Sequence, residues 1–191
     1  MSWLRSWNAL AAMALLRMKK AFFSNVAVSG GPITLDLAAG ERVALDFATP
    51  VEATIVALLA AGIAKASTGS VLIGDYDPRV QSVHCKRIAG FVAHEPVALD
   101  PAAFPHYVAY RAALWNIDAR WAQAHAQQLR TRLEGIHEAF AYPLIGALIG
   151  MPQLLVIDRP QAAYARQILD VAGDLALLST HAHPAAAGAF A

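Results

Sequence analysis

Cysteine and charge are both scarce in this sequence of 191 residues. Cys85 is its single cysteine, so the chain can form no internal disulfide and no metal site built from several thiolates. Charged residues make up 15% of the chain and hydrophobic residues 57%, a balance opposite to that of disordered proteins. The net charge is +1 without a broad basic field, and nucleic acid is therefore not expected as the main partner. The apolar excess predicts a surface covered by another protein or by a membrane.

A long uninterrupted hydrophobic segment is also missing. The longest stretch without a charged residue extends from Ala139 to Ile157, which approaches the length needed to cross a bilayer. Prolines and glycines interrupt it, and a helix, a turn at residues 150–152 and a buried strand explain it better. No transmembrane helix is expected. The apolar stretch from Ala9 to Leu16 is short and lacks a small-x-small cleavage site, which makes it a weak secretory signal.

Strands that alternate with helices predict an α/β fold with a mainly parallel sheet. Predicted strands cover residues 14–22, 33–37, 42–45, 70–73, 88–92, 154–157 and 175–179, and predicted helices cover residues 54–61 and 162–171. The strands that end at Leu45, Ile157 and Ser179 are expected to be central and buried. Residues 96–150 interrupt the alternation and predict a helical insertion within one domain that spans residues 1–191.

Aromatic residues are concentrated in two places. Trp3 and Trp7 share one face of a helix predicted within residues 1–13. This helix either docks on its own domain or is an interfacial or partner-binding helix. The aromatic residues of the insertion, Tyr107, Tyr110, Trp115 and Trp121, form either a local hydrophobic cluster or the anchors of an interface.

Six segments in order resemble the ATP-binding cassette (ABC) ATPase subunit of ABC transporters. They are ALLRMKKAF with PITLDLAAGERVAL, GERVALDFATPVEATIVALLAAG, STGSVLIGDYD, RIAGFVAHEP, GMPQLLVIDRP and LALLSTH. The resemblance implies a P-loop-NTPase-like fold: a mainly parallel sheet, an antiparallel N-terminal β portion and a helical insertion. It also implies a cytoplasmic subunit, peripheral at the inner face of the cell membrane. Its partners would be a membrane permease subunit, a second ABC ATPase subunit, or both.

The phosphate loop that the resemblance implies lacks the groups that bind phosphate. Such a loop needs glycines that expose backbone N–H groups, a lysine for the β/γ oxygens and a Ser/Thr for Mg²⁺. The corresponding loop has no glycine, and Pro50 has no N–H to donate. Ala53 stands at the lysine position, and Asp46 and Glu52 add negative charge. Only Thr54 matches, at the Ser/Thr position.

The other positions that the resemblance assigns to the nucleotide site are altered as well. His94 stands at the glutamine-loop position, and residues 133–138 replace the signature motif with a segment that keeps one glycine. Asp158 matches the Walker B aspartate. Arg159 stands where the family places its catalytic glutamate, and a cation cannot act as the general base for water. His181 matches the switch histidine.

We therefore predict no catalytic residue, no metal site and neither ATP nor Mg²⁺ as a cofactor. The vestigial nucleotide-site positions are Ala53, Thr54, His94, Asp158, Arg159 and His181. A metal site formed by His84, Cys85, His181 and His183 matches no standard zinc spacing.

Three functions agree with these observations. The first is a catalytically degenerate ABC subunit, a pseudo-ATPase that serves as a structural and coupling partner of a permease or of an active ATPase. The second is a weak nucleotide-binding ABC ATPase, which Thr54, Asp158 and His181 keep in consideration. The third is a scaffold subunit of a complex that does not transport. In the family two cassettes enclose each ATP, and this chain lacks the residues of both facing surfaces.

Overall fold

Two sheets and six helices form the part of the chain that the computed structural model describes, residues 14–24, 28–95, 99–182 and 190. In chain order the elements are β1 (Ala14–Ser24), β2 (Ser29–Ala38), β3 (Arg42–Asp46), α1 (Pro50–Ala60), β4 (Thr68–Ile73), α2 (Ser82–Ile88), β5 (Ala89–Val92), α3 (Phe104–Trp115), α4 (Ala119–Arg132), α5 (Glu138–Ile149), β6 (Leu154–Asp158), α6 (Ala165–Ala172) and β7 (Ala176–His181). Short 3-10 turns precede α3 at Pro101–Ala103 and α6 at Ala162–Tyr164.

The parallel sheet has the strand order β3-β7-β6-β5. The strands β6 and β7 are central, and every residue of both is buried, as their continuous apolar pattern predicts. The expectation that the strand ending at Leu45 is also central and buried is wrong. This strand, β3, lies at the edge of the sheet, and its residues are half-buried or exposed. The composition of a strand does not identify its neighbours, so strand order had to come from the tertiary structure.

The register of the parallel strands brings polar residues to one edge of the sheet. Asp46 at the end of β3 pairs with His181, and Asp158 at the end of β6 pairs with Thr180. Because all four strands run in the same direction, their carboxyl ends meet here. In open parallel sheets this edge is where ligands bind, so the candidate site is sought there.

The helix α1 packs between the two sheets. The antiparallel sheet, of order β2-β1-β4, contacts one side of α1, and β6 and β7 contact the other. A helix that is apolar nearly all round is buried, and most of α1 is buried accordingly. The helix begins at Pro50 rather than at the predicted Thr54, because Thr49 caps its N-terminus.

The core continues on the other face of the parallel sheet. Side chains of β6 alternate: Leu154 and Val156 pack toward α1 and the antiparallel sheet, whereas Leu155 and Ile157 pack toward α3, α4, α5 and α6. Both faces of the sheet are therefore covered, which explains why this strand is apolar throughout.

The predicted insertion is helical over its described part. It contains α3, α4 and α5, and α4 buries Ala122, Ala126 and Leu129, which lie at helical spacing. The aromatic rings of Phe104 and Tyr142 stack between α3 and α5, with their centroids 4.0 Å apart. Among the described helices none has both the length and the apolarity to cross a membrane.

The helix α2 was not predicted. Cys85 is its only buried residue, so its seven residues show no apolar periodicity that could reveal a helix. The predicted N-terminal helix within residues 1–13 lies outside the described residues. The organisation of the chain as a single domain stays a prediction.

Candidate functional site

A buried carboxylate forms the centre of the candidate site. Asp158 ends β6 and is 2% exposed. The Thr54 hydroxyl donates to its Oδ2 atom at 2.7 Å, and the Thr180 hydroxyl donates to its Oδ1 atom at 3.2 Å. A buried charge is costly unless it is paired and hydrogen-bonded. These two hydroxyls, from α1 and β7, satisfy part of that requirement.

Arg159 supplies the opposite charge. Its Nε atom donates to Asp158 Oδ1 at 3.2 Å, and its Nη2 atom donates to Thr54 Oγ1 at 3.1 Å. The backbone of Arg159 has φ 47°, a left-handed conformation that is uncommon for a residue other than glycine. This conformation directs the side chain back across the end of β6, where the guanidinium bridges the carboxylate and the hydroxyl.

Two neighbouring elements hold the Arg159 backbone. Its N–H donates to Thr180 O at 2.9 Å. Its carbonyl lies 2.9 Å from Nδ1 of His94, which makes Nδ1 the protonated ring nitrogen because a carbonyl only accepts. The polar cluster thus comprises Thr54, His94, Asp158, Arg159 and Thr180.

Four of the six sequence-predicted positions belong to this cluster: Thr54, His94, Asp158 and Arg159. Ala53 is fully buried in α1 and offers no polar side chain. The His181 Nε2 atom lies 2.8 Å from Ser179 Oγ, and its ring packs against Phe190 instead of against the cluster. Sequence reasoning missed Thr180, because its position in an apolar strand gives no sign of a polar contact.

The N-terminus of α1 is closed by its own side chains. Thr49 Oγ1 accepts from the Glu52 N–H at 3.2 Å and lies 3.3 Å from Glu52 Oε2, to which it donates. Thr49 is therefore the N-cap of α1, and Pro50 occupies the first helical position, where its missing N–H costs nothing. The Thr-x-x-Glu spacing was present in the sequence, and it is the signal that could have located the start of this helix.

The segment at the signature position is also a helix connection. Gly135 has φ +88°, and a Cβ atom added there would meet nothing within 4 Å. The glycine therefore serves the turn that ends α4 and does not permit a close approach. His137 caps α5 through Nδ1, which accepts from the Ala139 N–H at 3.2 Å. Glu138 in the first turn of α5 accepts from the Tyr142 hydroxyl at 2.7 Å.

Two cavities flank the Arg159 side chain. The first has a volume of about 390 Å³, and its lining is Phe23, Val28, Pro50, Val51, Thr54, Ile55, Leu58, Ala64 and Arg159. The second has a volume of about 280 Å³, and its lining is His94, Glu95, His137, Ala139, Phe140, Arg159, Gln161 and Tyr164. The first is mainly apolar, whereas the second carries several polar groups, including one carboxylate.

No metal centre emerges over the stretches of chain described above: no group of three or more His, Cys, Asp and Glu side chains is placed to hold an ion. His84 and Cys85 lie in α2, and His181 ends β7. His183 falls outside the described residues. Burial raises the pKa of the Cys85 thiol, which favours the neutral form.

The environment of His181 shifts the pKa of its side chain. Burial lowers the pKa of its imidazole below the usual 6.5, and the nearby Asp46 carboxylate opposes this shift more weakly. Above about pH 6.5 the ring is neutral in both the folded and the unfolded chain. As the pH falls below that value, the unfolded chain takes up a proton that the buried ring resists, and folding stability decreases.

We therefore expect the His181→Asn variant to lose part of the acid sensitivity of folding. The free energy of unfolding, measured with urea at about pH 7.5 and about pH 5.5, should fall less in the variant than in the unchanged chain. His106→Asn, at an exposed position, is the control and should behave like the unchanged chain. Equal pH dependence in all three proteins would contradict the prediction. The carboxylates of Asp77 and Asp170, whose pKa values are lowered by hydrogen bonds from Arg79 and Arg132, act only at more acidic pH.

No family model matches the chain. A curated relative, the sulfate/thiosulfate import ATP-binding protein CysA of Xylella fastidiosa (strain Temecula1 / ATCC 700964), is 28% identical over 167 residues. The match covers 79% of this chain and 47% of the relative. The chain therefore spans about half the length of the curated relative that it matches.

Solved structures show the same architecture. The cbiO1 subunit of Clostridium perfringens, part of the ABC transporter complex cbiONQ, superposes with a TM-score of 0.68 at 14% identity, over 89% of this chain and 79% of cbiO1. An ATP-binding subunit of an ABC transporter superposes with a TM-score of 0.70 at 17% identity. The superposition covers 87% of this chain and 79% of that subunit. The ATP-binding cassette MJ0796, a dimer in a post-hydrolysis state bound to ADP and Pi, superposes with a TM-score of 0.68 at 12% identity. The superposition covers 92% of this chain and 91% of MJ0796.

These likenesses establish the fold. The chain has the α/β fold of ABC ATPase subunits, with a parallel sheet and additional antiparallel strands, and the fold class predicted from the sequence is confirmed.

Proposed function

We propose that this chain is a catalytically degenerate ABC subunit that supports assembly and coupling in a complex instead of hydrolysing ATP. Its partner in this proposal is a membrane permease or an active ATPase. The observation that carries the proposal is the position of the Arg159 guanidinium, which bridges Thr54 and Asp158.

The residues at the magnesium-binding positions are already paired. In P-loop enzymes a Ser/Thr hydroxyl and a Walker B aspartate hold Mg²⁺. The residues at those positions here, Thr54 and Asp158, are hydrogen-bonded to each other and to Arg159. Mg²⁺ would have to displace a guanidinium that already neutralises the carboxylate. A fixed side-chain cation therefore takes over the charge balance that a metal would provide.

The helix N-termini that would face the phosphates are capped by side chains. Helix N-termini bind anions through free backbone N–H groups. At α1 the Thr49 side chain occupies the Glu52 N–H, and the Glu52 carboxylate lies beside it. At α5 His137 caps the first turn, which also carries Glu138. Each of the two helix ends that the resemblance places around the phosphates thus has a side-chain cap and a carboxylate of its own.

ATP hydrolysis also requires a group that activates the attacking water. A general base near the γ-phosphate must accept or orient the proton of the attacking water. The residue after Asp158 is Arg159, whose guanidinium stays protonated and cannot take that role. His181, at the switch position, is oriented toward Ser179 and Phe190.

Calorimetry with ATP and Mg²⁺ tests the loss of nucleotide binding directly. We expect no saturable binding at micromolar ATP, because two missing charge-assisted hydrogen bonds already weaken affinity by about a hundredfold or more. The isolated chain should also release no phosphate from ATP. An intact cassette protein assayed in parallel is the control. A micromolar dissociation constant would overturn the proposal and favour the weak ATPase. Arg159→Glu alone should not create hydrolysis, because Ala53 still stands at the lysine position.

A partner is proposed from exposed apolar side chains on the insertion. Tyr110, Leu114 and Trp121 are 60%, 50% and 42% exposed. Tyr110 and Leu114 are four residues apart on α3, so they lie on one face of the helix. Exposed aromatic side chains are enriched at protein interfaces. The structurally similar cbiO1 is part of the ABC transporter complex cbiONQ. We propose that this chain also belongs to a complex and that it is peripheral at the inner face of the cell membrane.

Recovery of the native complex from cells tests this interface. The double variant Tyr110→Glu and Leu114→Glu should recover several-fold less partner than the unchanged chain, because it places two charges in an apolar contact. The matched control is Val80→Glu with Val83→Glu, which changes two valines that are 80% and 64% exposed outside the insertion. Equal recovery from both double variants would exclude the insertion as the interface. Recovery of partners without any permease or ATPase would favour the scaffold function.

A further inference from the structure

We propose that the apolar cavity beside α1, called here the α1 pocket, binds a small apolar carboxylate. Its hydrocarbon part would lie against α1 and the antiparallel sheet, and its carboxylate would meet Arg159. The site takes an anion through a single side chain, without a phosphate loop. The proposal stands independently of which partner the chain assembles with.

The walls of the α1 pocket suit a hydrocarbon chain. Val51, Ile55 and Leu58 contribute one face of α1, and Phe23 closes the pocket from the antiparallel sheet. The volume of about 390 Å³ lies within the usual range for small-molecule sites, which are mostly apolar with a few polar groups. Val51 remains 49% exposed at this surface. A hydrocarbon ligand would remove this apolar surface from water.

The polar end of the α1 pocket is formed by Thr54 and Arg159. A guanidinium has five N–H donors. The Nε donor is directed to Asp158, and one Nη2 donor is directed to Thr54. Within the described part of the chain, the two Nη1 donors have no hydrogen-bond partner. Arginine binds carboxylates through such paired donors. The donors that remain on Arg159 can therefore receive one carboxylate without breaking the bridge to Asp158.

The charges around the two cavities favour this pocket for an anion. Arg159 also lines the second cavity, but there Glu95 lies in the same wall and would repel a carboxylate. The lining of the α1 pocket contains no acidic residue. It also contains no further cation, so a ligand with one negative charge fits it better than a polyphosphate does.

Titration with decanoate tests the proposal on the full-length chain. Calorimetry should detect saturable binding, and decanoate should raise the unfolding temperature. Decanol should bind at least about tenfold more weakly than decanoate, since it lacks the charge that Arg159 recognises. Decylamine should not bind. Equal binding of all three compounds would show non-specific surfactant adsorption and would overturn the proposal, as would the absence of saturable decanoate binding.

Two variants locate the site. Val51→Glu places a carboxylate at the mouth of the α1 pocket and should weaken decanoate binding about tenfold or more. Val83→Glu, the matched change at an exposed valine of α2, should leave it unchanged. Arg159→Gln should also weaken decanoate binding about tenfold or more. If this variant does not fold, the comparison of Val51→Glu with Val83→Glu still decides whether decanoate binds in the α1 pocket. Unaltered affinity of Val51→Glu would overturn the assignment.

Competition separates this inference from the proposed function. If ATP displaced decanoate at micromolar concentration, the degenerate nature of the chain would be wrong, whereas the carboxylate site would stand. If neither ATP nor decanoate bound, only the carboxylate site would be excluded.

Discussion

The Arg159→Met variant is expected to lose about 3 kcal/mol of unfolding free energy. Removing one partner of a buried ion pair usually costs about 3–5 kcal/mol, because the other charge is left uncompensated. Asp158 is 2% exposed and would keep only the hydroxyl donors of Thr54 and Thr180. The lower end of the range applies, since the Arg159 side chain is 22% exposed and water can partly replace it. Methionine keeps much of the side-chain length, and it faces the same left-handed backbone constraint as arginine.

Urea denaturation followed by tryptophan fluorescence measures this loss. The control is Arg120→Met, which changes an exposed arginine of α4 and should alter stability by no more than about 0.5 kcal/mol. The double variant Asp158→Asn with Arg159→Met removes both charges and should be less destabilised than the sum of the single variants. If Arg159→Met and Arg120→Met lost equal stability, the guanidinium bridge would make no net contribution. Rescue of Arg159→Met by Mg²⁺ would show that the metal can still enter this position.

Gly69→Ala is expected to destabilise the chain at least as much as Arg159→Met. Gly69 lies in β4 with φ +73°, and an added Cβ atom would come within 2.5 Å of Lys19 O and closer still to Lys20 O. Both are backbone atoms of the neighbouring strand β1, so no side chain can rotate away. The sheet would have to open locally or the strands would have to separate. We expect a loss of about 3 kcal/mol or more, which would leave the chain largely unfolded at moderate urea concentrations.

Gly135→Ala separates this clash from the cost of the backbone conformation alone. Gly135 also has positive φ, but a Cβ atom there would meet nothing within 4 Å. Its replacement should therefore cost only about 1–2 kcal/mol, the usual penalty for an L-residue in the left-handed region. Similar losses in both variants would mean that the two strands can move apart easily. A negligible loss at Gly135 would mean that the turn after α4 adapts without strain.

The edge strand β3 illustrates where sequence reasoning reached its limit. Its residues Val43, Ala44 and Leu45 are as apolar as those of a central strand, yet they are half-buried. Strand order depends on contacts between residues distant in the chain, such as Leu45 with Thr180. The helix α2 was missed for the opposite reason: it is polar and lies near the surface, so no apolar pattern marks it.

The candidate site divides in the same way between local and long-range information. The Thr-x-x-Glu spacing at Thr49 and Glu52 is local and could be recognised once the start of α1 was known. The contact of Arg159 with Thr54 could not, because it joins residues more than a hundred positions apart and depends on one left-handed backbone angle. No one-dimensional pattern specifies such an angle.

The sequence by itself determined the α/β class, the burial of strands β6 and β7, the helical character of the described part of residues 96–150 and the identities of the residues in the candidate site. These properties follow from local apolar periodicity and from residue identity, which do not require knowledge of neighbours. Only the tertiary structure decided which strand lies at the edge, how the cluster around Asp158 is satisfied and where the α1 pocket opens. Those features arise from the packing of separate elements, because hydrogen-bond partners and cavities exist only after distant segments meet.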